Sequence, residues 1–318
     1  MSLSERLTTV GYRLGWKALC RIPEPWARAL FNAVADLAWR RQGKGVLRLE
    51  ANLRRVLRYP DGTDPDGAEI RAMSYRVMRS YCRYYLEAFR MRVIPVERMV
   101  AGMHINPEGQ EALLSTLKAG RGVILTLPHM GNYEQAGAWA VAVGAGRFTT
   151  VAERLKPEEI YQAFVKMRES VGMEVLPLTG GKSHPFGILA QRLRAGGLVC
   201  LVSDRDLSDT GVEVDFFGEK ARMAAGAAVL AERTGAALMP VATWFEGETE
   251  WGAHIHPEIP VPDSGTRQEK ALQMIQQVAN RFEQAVREHP QDWHMLQLLF
   301  SADLDPERTP AQPSARAR

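Results

Sequence analysis

The sequence of 318 residues is poor in cysteine and has no long uninterrupted apolar run. Its three cysteines, Cys20, Cys82 and Cys200, are far apart and cannot all pair. This excludes a disulfide framework and a cysteine-ligated zinc site, and it favours buried, reduced thiols in a cytosolic chain. No stretch reaches the roughly 18 apolar residues that a membrane span requires. Because Glu5 and Arg6 interrupt the N-terminus, we expect no signal peptide and only peripheral contact with a membrane.

Several motifs of nucleotide-binding proteins and hydrolases are also missing. Without a Gly-x-Ser-x-Gly motif, a serine-hydrolase triad would have no nucleophile turn. The chain has neither a P-loop nor a Gly-x-Gly-x-x-Gly motif, so no loop for a nucleotide phosphate can be recognised. His254 and His256 alternate on a predicted strand with no third ligand nearby, which favours ordinary strand histidines. We therefore expect neither a metal nor a cofactor.

The formal net charge is only +3, but the basic residues are distributed unevenly. Residues 1–58 contain twelve Arg or Lys and four Asp or Glu, a balance of +8. Such a segment favours an anionic surface, either a membrane or a nucleic acid. The apolar spacing at 4–21 and 25–41 predicts amphipathic helices, which either lie in a bilayer interface or pack on the protein; we expect a mixture. The tryptophans of this segment are Trp16, Trp26 and Trp39.

The rest of the chain alternates between strands and helices. A loop at 59–67 precedes a long helical pattern at 69–91, and from residue 120 onward apolar runs alternate with helical patterns. This alternation predicts an α/β fold with a mostly parallel central sheet flanked by helices. The predicted strands are 122–127, 148–152, 174–178, 198–203, 238–245 and 251–259. We expect a basic helical membrane-docking segment at 1–58, an α/β domain at 69–304 and a disordered tail at 305–318.

A histidine and a glutamate follow the first of these strands. In the segment TLPHMGNYE, His129 comes directly after the strand 122–127 and Glu134 opens the next helix. In α/β proteins such strand ends usually face a crevice. A carboxylate one turn away can orient an imidazole and stabilise its protonated form. A polar loop in which both residues merely cap the helix explains this stretch equally well.

Further charged residues lie at later strand ends or before a helix of small residues. They are Glu153 and Arg154, then Asp204, Arg205 and Asp206, and finally Arg222 in the segment VEVDFFGEKAR. Charged residues at loop starts are usually only solvated. Several of them at one edge of a sheet favour a functional site.

Three segments of the sequence resemble motifs of a known family. HMGNYE resembles the His-x-x-x-x-Asp/Glu motif of the glycerolipid and lipid A acyltransferase superfamily. The block DRDLSDTGVEVDFFGEKARMAAGAAVLAERTGA is similar to a later block of its lipid A late-acyltransferase branch, and HPQDWHMLQ resembles that branch's C-terminal Trp motif. The resemblance covers about residues 5–300 and is closest to the actinobacterial phosphatidylinositol mannoside acyltransferases. The wider superfamily often has Asp where this chain has Glu134, which could share its task with Asp204.

The resemblance implies an O-acyltransferase that moves a fatty acyl chain from acyl-coenzyme A, as substrate, to a mannose hydroxyl of a phosphatidylinositol mannoside. His129 would be the general base, assisted by Glu134 and Asp204. Arg154 and Arg205 would bind a phosphate, and the further substrate contacts would be Glu153, Asp206 and Arg222. Trp139, Met223 and the helix 224–230 are either walls of an acyl groove or ordinary core. We also expect peripheral attachment to the cytoplasmic face of the cell membrane, an anionic surface, and no nucleic acid partner.

Two alternatives stay open. A related acyltransferase could use another acceptor, such as a lysophospholipid or a glycolipid precursor. A non-catalytic lipid-binding protein of the membrane surface could carry the same motif without using it. Turnover of an acyl thioester separates the second alternative from the enzymes, and defined acceptors separate the enzymes from each other.

Overall fold

A computed structural model describes residue 11 and residues 15–154, 158–180, 185–206 and 211–304 of the chain. Its architecture is mixed α/β, with a mostly parallel central sheet flanked by helices, which confirms the predicted fold class. The predicted helix at 4–21 lies partly outside the described residues, and the tail at 305–318 lies entirely outside them. The division of the chain into three segments stays a prediction.

A run of helices precedes the sheet. Among them are α1 (Glu24–Arg40), α2 (Lys44–Val56), α3 (Gly67–Arg90) and α4 (Val96–Ala101). α3 begins at a capping box, in which the Asp66 carboxylate accepts from the Glu69 N–H and the Glu69 carboxylate accepts from the Asp66 N–H. The apolar faces of α1 and α2 pack against α3. α1 and α3 confirm the helices predicted at 25–41 and 69–91.

The strands of the central sheet are β1 (Met103–Ile105), β2 (Val123–Leu127), β3 (Phe148–Ala152), β4 (Met173–Pro177), β5 (Leu198–Val202), β8 (Ala237–Glu246) and β9 (Glu250–Ile255). Within the described residues these seven strands lie in the order β1-β9-β8-β2-β5-β3-β4. Only β8 and β9 pair antiparallel; the other neighbours in this sheet are parallel. β2 lies in the middle and is buried along its whole length, which accounts for its apolar sequence.

Helices cover both faces of this sheet. They are α5 (Pro107–Lys118), α6 (Tyr133–Ala140), α7 (Glu158–Glu169), α8 (Pro185–Arg194), α9 (Gly226–Thr234) and α10 (Arg267–Glu288). α8, α9 and α10 pack in one apolar cluster with Ile124 and Leu238. Because side chains alternate along a strand, Leu125 and Leu127 point to the opposite face, where they cluster with residues of α5 and α6.

Two parts of the fold do not follow from the sequence patterns. Residues 96–118 form α4, β1 and α5, and the Phe-Phe-Gly segment forms a separate hairpin of β6 (Val212–Phe216) and β7 (Glu219–Met223). Phe217 and Gly218, between these strands, both have positive φ (51° and 75°), as the two central residues of a type I′ turn do. The last strand ends at Ile255 rather than 259, because Pro257 cannot donate to a ladder.

α1 exposes a stripe of apolar side chains at helical spacing, formed by Trp26, Leu30, Val34 and Leu37. Trp26 is 75% exposed. The other two tryptophans of the N-terminal segment are partly buried, since the Trp16 indole donates to the Phe89 carbonyl and the Trp39 indole to Ser74 Oγ. In the described part of the chain, no helix has the length and apolar character that crossing a membrane requires.

Candidate functional site

His129 and Asp204 meet because β2 and β5 are adjacent parallel strands. Leu127, the last residue of β2, is in register with Val202, the last residue of β5, and the Ser203 N–H donates to the Leu127 carbonyl. Each of the two side chains follows its strand end by two residues, so both reach the same edge of the sheet. His129 Nδ1 lies 2.5 Å from Asp204 Oδ1.

The Asp204 carboxylate is fully buried and receives three hydrogen bonds. Oδ1 accepts from His129 Nδ1, while Oδ2 accepts from the His129 backbone N–H at 2.9 Å and from the Trp293 indole N–H at 3.1 Å. Burial alone would raise the pKa of Asp204, but the charge of His129 and these donors outweigh burial and hold the pKa below its usual range.

The hydrogen bond to Asp204 determines which nitrogen of His129 is available for chemistry. An ionised carboxylate can only accept, so Nδ1 carries the proton of the neutral imidazole and Nε2 carries a lone pair. Nε2 forms no hydrogen bond with any described residue, and His129 lines a cavity. The arrangement can therefore take up a proton from a molecule bound in that cavity.

Glu134 does not hydrogen-bond to His129, contrary to the expectation from their spacing. It forms a buried ion pair with Arg168 of α7 and also accepts from the Tyr84 hydroxyl of α3 at 3.3 Å. α6 begins at Tyr133, after Asn132 as N-cap, and this start directs the Glu134 side chain toward α3 and α7. Despite burial, the Glu134 carboxylate raises the pKa of Arg168 and so stabilises the charged guanidinium. Asp204 is thus the partner that orients His129.

The cavity has a volume of about 680 Å³, within the range of sites for small molecules. Its walls are mostly apolar. They include Ile105, Leu113, Leu125, Leu127, Phe148, Val241 and Ile255 of one apolar cluster and Phe186, Leu189, Ala227 and Leu230 of another. Of the residues that were either groove walls or core, Trp139 lines the cavity, whereas Met223 is buried and is not among the lining residues. An apolar cavity of this size beside a histidine suits a long aliphatic chain.

The sequence model of the family "Bacterial lipid A biosynthesis acyltransferase" matches residues 3–302. The chain belongs to this family. It is 46% identical over 306 residues to the phosphatidylinositol mannoside acyltransferase of Mycolicibacterium smegmatis, covering 96% of this chain and 95% of that protein. It is 43% identical over 307 residues to the phosphatidylinositol mannoside acyltransferase of Mycobacterium tuberculosis, covering 96% of this chain and 93% of that protein. The resemblance inferred from the motifs is confirmed, and the chain is an acyltransferase.

Three of the remaining predicted residues line the cavity of the acyltransferase, namely Glu153, Arg205 and Asp206. Arg205 Nε is buried and has no hydrogen-bond partner among the described residues. Arg154 and Arg222 are not lining residues. Arg154 is exposed, with its Nε 2.6 Å from the Glu158 carboxylate, and Arg222 lies 3.5 Å from the Asp206 carboxylate.

Sequence reasoning did not single out three residues around the acyltransferase site. Tyr84 and Arg168 contact Glu134, and Trp293 contacts Asp204. Tyr84 and Arg168 lie on amphipathic helices, where neither residue type stands out. Trp293 lies in the segment HPQDWHMLQ, whose resemblance to the C-terminal motif of the family was the available signal.

One group of side chains in the described part of the acyltransferase has the composition and spacing to ligate a metal ion. It consists of His104, Glu246 and Glu250, whose ligand atoms lie within 4.8 Å of one another. These residues lie at the β1 edge of the sheet and at the β8–β9 turn, and none of them lines the cavity. The group is therefore separate from the candidate site.

Proposed function

We propose that this acyltransferase moves a fatty acyl chain from acyl-coenzyme A to a mannose hydroxyl of a phosphatidylinositol mannoside, with His129 as the general base. The observation that carries the proposal is the orientation of His129. Asp204 holds Nδ1, Nε2 has no protein partner among the described residues, and His129 lines an apolar cavity. The names of the two relatives supply the acceptor class.

The reaction needs a base because a sugar hydroxyl is a poor nucleophile near neutral pH. His129 Nε2 takes the hydroxyl proton while the oxygen attacks the thioester carbonyl. The tetrahedral intermediate then expels the thiolate of coenzyme A, which takes the proton from the imidazolium, so that an ester and a free thiol result. Asp204, buried and anionic, stabilises the imidazolium between these steps. The thioester is already activated, so the scheme needs no covalent intermediate on the protein.

Glu134 keeps a supporting place in this scheme. Its ion pair holds the Arg168 guanidinium at the cavity wall. A guanidinium fixed beside the reacting carbonyl can stabilise the negative charge of the tetrahedral intermediate. We therefore assign Glu134 and Arg168 to the electrostatics of the site, and Asp204 to the orientation of the base.

The cavity and its charged rim support binding of the donor. The apolar walls suit the acyl chain, whose burial contributes about 0.8 kcal/mol per methylene. Arg205 adjoins Asp204 and has a buried Nε without a described partner, so its guanidinium can bind a phosphate of coenzyme A or of the acceptor. Arg154 is exposed and already paired with Glu158, which makes it the weaker of the two phosphate ligands.

The exposed stripe of α1 supports peripheral attachment to the membrane. Trp26, Leu30, Val34 and Leu37 form an apolar row on α1, a helix within the segment 1–58, whose formal balance is +8. Apolar burial in the bilayer interface and attraction to anionic lipid act together on such a helix. We assign this surface to the cytoplasmic face of the cell membrane, where acyl-coenzyme A is available.

A panel of acceptors tests the proposed function. The purified protein is mixed with palmitoyl-coenzyme A and, in separate reactions, a phosphatidylinositol mannoside, a lysophosphatidylinositol and a lipid A precursor. Thiol release and the product mass are measured. We expect one palmitoyl group to be added to the mannoside. Acylation of another acceptor alone would assign a different substrate, and vesicle binding without thioester turnover would identify a non-catalytic lipid-binding protein.

A further inference from the structure

The C-terminal segment 292–294 is bound to the loop that carries His129. The Gly131 N–H donates to the Asp292 carbonyl at 2.9 Å, and the His294 N–H donates to the His129 carbonyl at 2.7 Å. Met130 and Trp293 form an isolated antiparallel bridge between these contacts. Gly131 is needed there, since its φ is +54° and a Cβ would lie 2.5 Å from the Thr243 backbone. The loop and the segment therefore fix each other's backbone.

The Trp293 side chain is held equally firmly. It is fully buried, and the centroid of its ring lies 6.0 Å from the ring centroid of Phe216 and 6.2 Å from that of Phe217. The backbone is bonded and the side chain is buried against these rings, and the indole N–H donates to Asp204 Oδ2 at 3.1 Å. Oδ2 is then occupied by two N–H donors, and Oδ1 is left for His129 Nδ1. A Phe at this position would fill much of the space but could not donate.

We propose that Trp293 is a positioning residue, whose indole N–H fixes the Asp204 carboxylate against His129 and limits how strongly the pair holds a proton. The inference rests on the proposed role of His129 as the base. An N–H donor at Asp204 withdraws negative charge from the carboxylate and places a partial positive charge near the imidazole. Without this donor the carboxylate attracts the imidazolium more strongly, so His129 retains its proton to higher pH.

Other titratable and charged groups surround the pair and must be kept unchanged. They are Tyr133 and Glu134 of α6, Tyr84 of α3, Arg168 of α7, Glu153 after β3, Arg205 and Asp206 after Asp204, and His294 of the C-terminal segment. Burial lowers the pKa of His294 to about 3, so this ring stays neutral throughout the pH range over which His129 is titrated. The substitution at 293 removes the donor to Asp204 and replaces none of these groups.

The test compares the titration of His129 in the full chain with Trp293 and with Trp293→Phe. The imidazole signals are followed by NMR on protein with ¹⁵N-labelled histidine, and His129→Asn assigns the His129 signal. A second variant carries benzothienylalanine at position 293, which keeps the bicyclic shape and lacks the N–H, so a packing defect in Trp293→Phe cannot mask the result. Trp39→Phe is the matched control, because it removes an indole N–H bonded to Ser74, outside the cavity.

We expect both variants at position 293 to move the midpoint of the His129 titration upward by roughly half to one pH unit, since hydrogen bonds to charged groups are among the stronger ones and His129 senses part of the change. In the pH profile of the acyl-transfer rate, the acid limb should move by the same amount, and KM should change little. Trp39→Phe should leave the midpoint in place. An unchanged midpoint in the benzothienylalanine variant would overturn the proposal. If the midpoint of the His129 titration moves in the variants but the unchanged protein transfers no acyl group, the role of Trp293 is supported and the proposed function is refuted.

Discussion

Replacing Asp204 by Asn changes the tautomer of His129 while keeping nearly the same shape. Three donors converge on the two carboxylate oxygens of Asp204, and an amide offers only one oxygen. Two of these donors, the His129 backbone N–H and the Trp293 indole N–H, point at Oδ2, so the amide oxygen is expected there. The NH₂ group then faces His129 Nδ1, which must accept. The proton of the neutral imidazole moves to Nε2, where the base needs a lone pair.

The size of the effect follows from this switch. A base in the wrong tautomer cannot take the hydroxyl proton, and the same substitution in a serine-protease triad lowers kcat by about 10⁴-fold. We expect a loss of at least about 10³-fold here, because Asn also removes the buried charge that stabilises the imidazolium. KM should change little, since Asp204 is not a lining residue of the cavity.

The assay is the initial rate of palmitoyl transfer to a phosphatidylinositol mannoside, with the melting temperature measured in parallel. Asp36→Asn is the matched control, because Asp36 pairs with Arg79 between α1 and α3 and does not line the cavity. The control should retain full activity. A folded Asp204→Asn variant with more than a tenth of the normal kcat would refute the role given to Asp204.

Three further predictions concern the donor, the membrane and pH. Arg205→Ala should raise the KM for acyl-coenzyme A or for the phosphate-bearing acceptor more than Arg154→Ala does, and equal effects in steady-state kinetics would contradict the ranking. At high salt, screening weakens electrostatic attraction and leaves the apolar contribution to vesicle binding. The double variant Trp26→Ala, Leu30→Ala should therefore bind phosphatidylinositol vesicles less tightly than the unchanged protein, whereas Leu272→Ala on α10 should bind as the unchanged protein does. Burial and the nearby His254 lower the pKa of His256 to about 4, so the unfolded chain binds more protons below the ordinary value of 6.5. Chemical denaturation should therefore show that the free energy of unfolding falls by about 2 kcal/mol from pH 7.5 to pH 4.5 because of His256, and His256→Asn should lack this contribution. An equal pH dependence of the free energy of unfolding in both proteins would contradict this.

The sheet could be predicted from the sequence because burial on both faces leaves a direct record in apolar runs such as Val123–Leu127. The positions of His129 and Asp204 after strand ends could be predicted for the same reason. Their contact was one of the possibilities, but the sequence could not decide between Asp204 and Glu134, since the order of strands depends on long-range packing and β5 is the fifth strand along the chain yet pairs with the second. Asp204 and Trp293 lie even farther apart in sequence, and only the folded chain brings them together.

The spacing of His129 and Glu134 illustrates the opposite case, in which a local pattern misleads. Five positions separate them, which is compatible with a hydrogen bond across a tight turn. The helix that begins at Tyr133 turns Glu134 away toward Arg168, and this depends on α3 and α7 packing against α6. The motif therefore suggested Glu134 as a partner of the histidine, whereas the structure pairs His129 with Asp204, the other carboxylate that the sequence analysis named.

The central claim is that His129 is the general base of acyl transfer. It is tested most directly by the rate at which His129→Ala transfers palmitate from palmitoyl-coenzyme A to a phosphatidylinositol mannoside, measured by product mass on protein shown to be folded. Loss of a general base typically lowers the rate by about 10²–10⁴-fold, and we expect a loss in that range. Transfer by His129→Ala at a rate close to that of the unchanged protein would contradict the account.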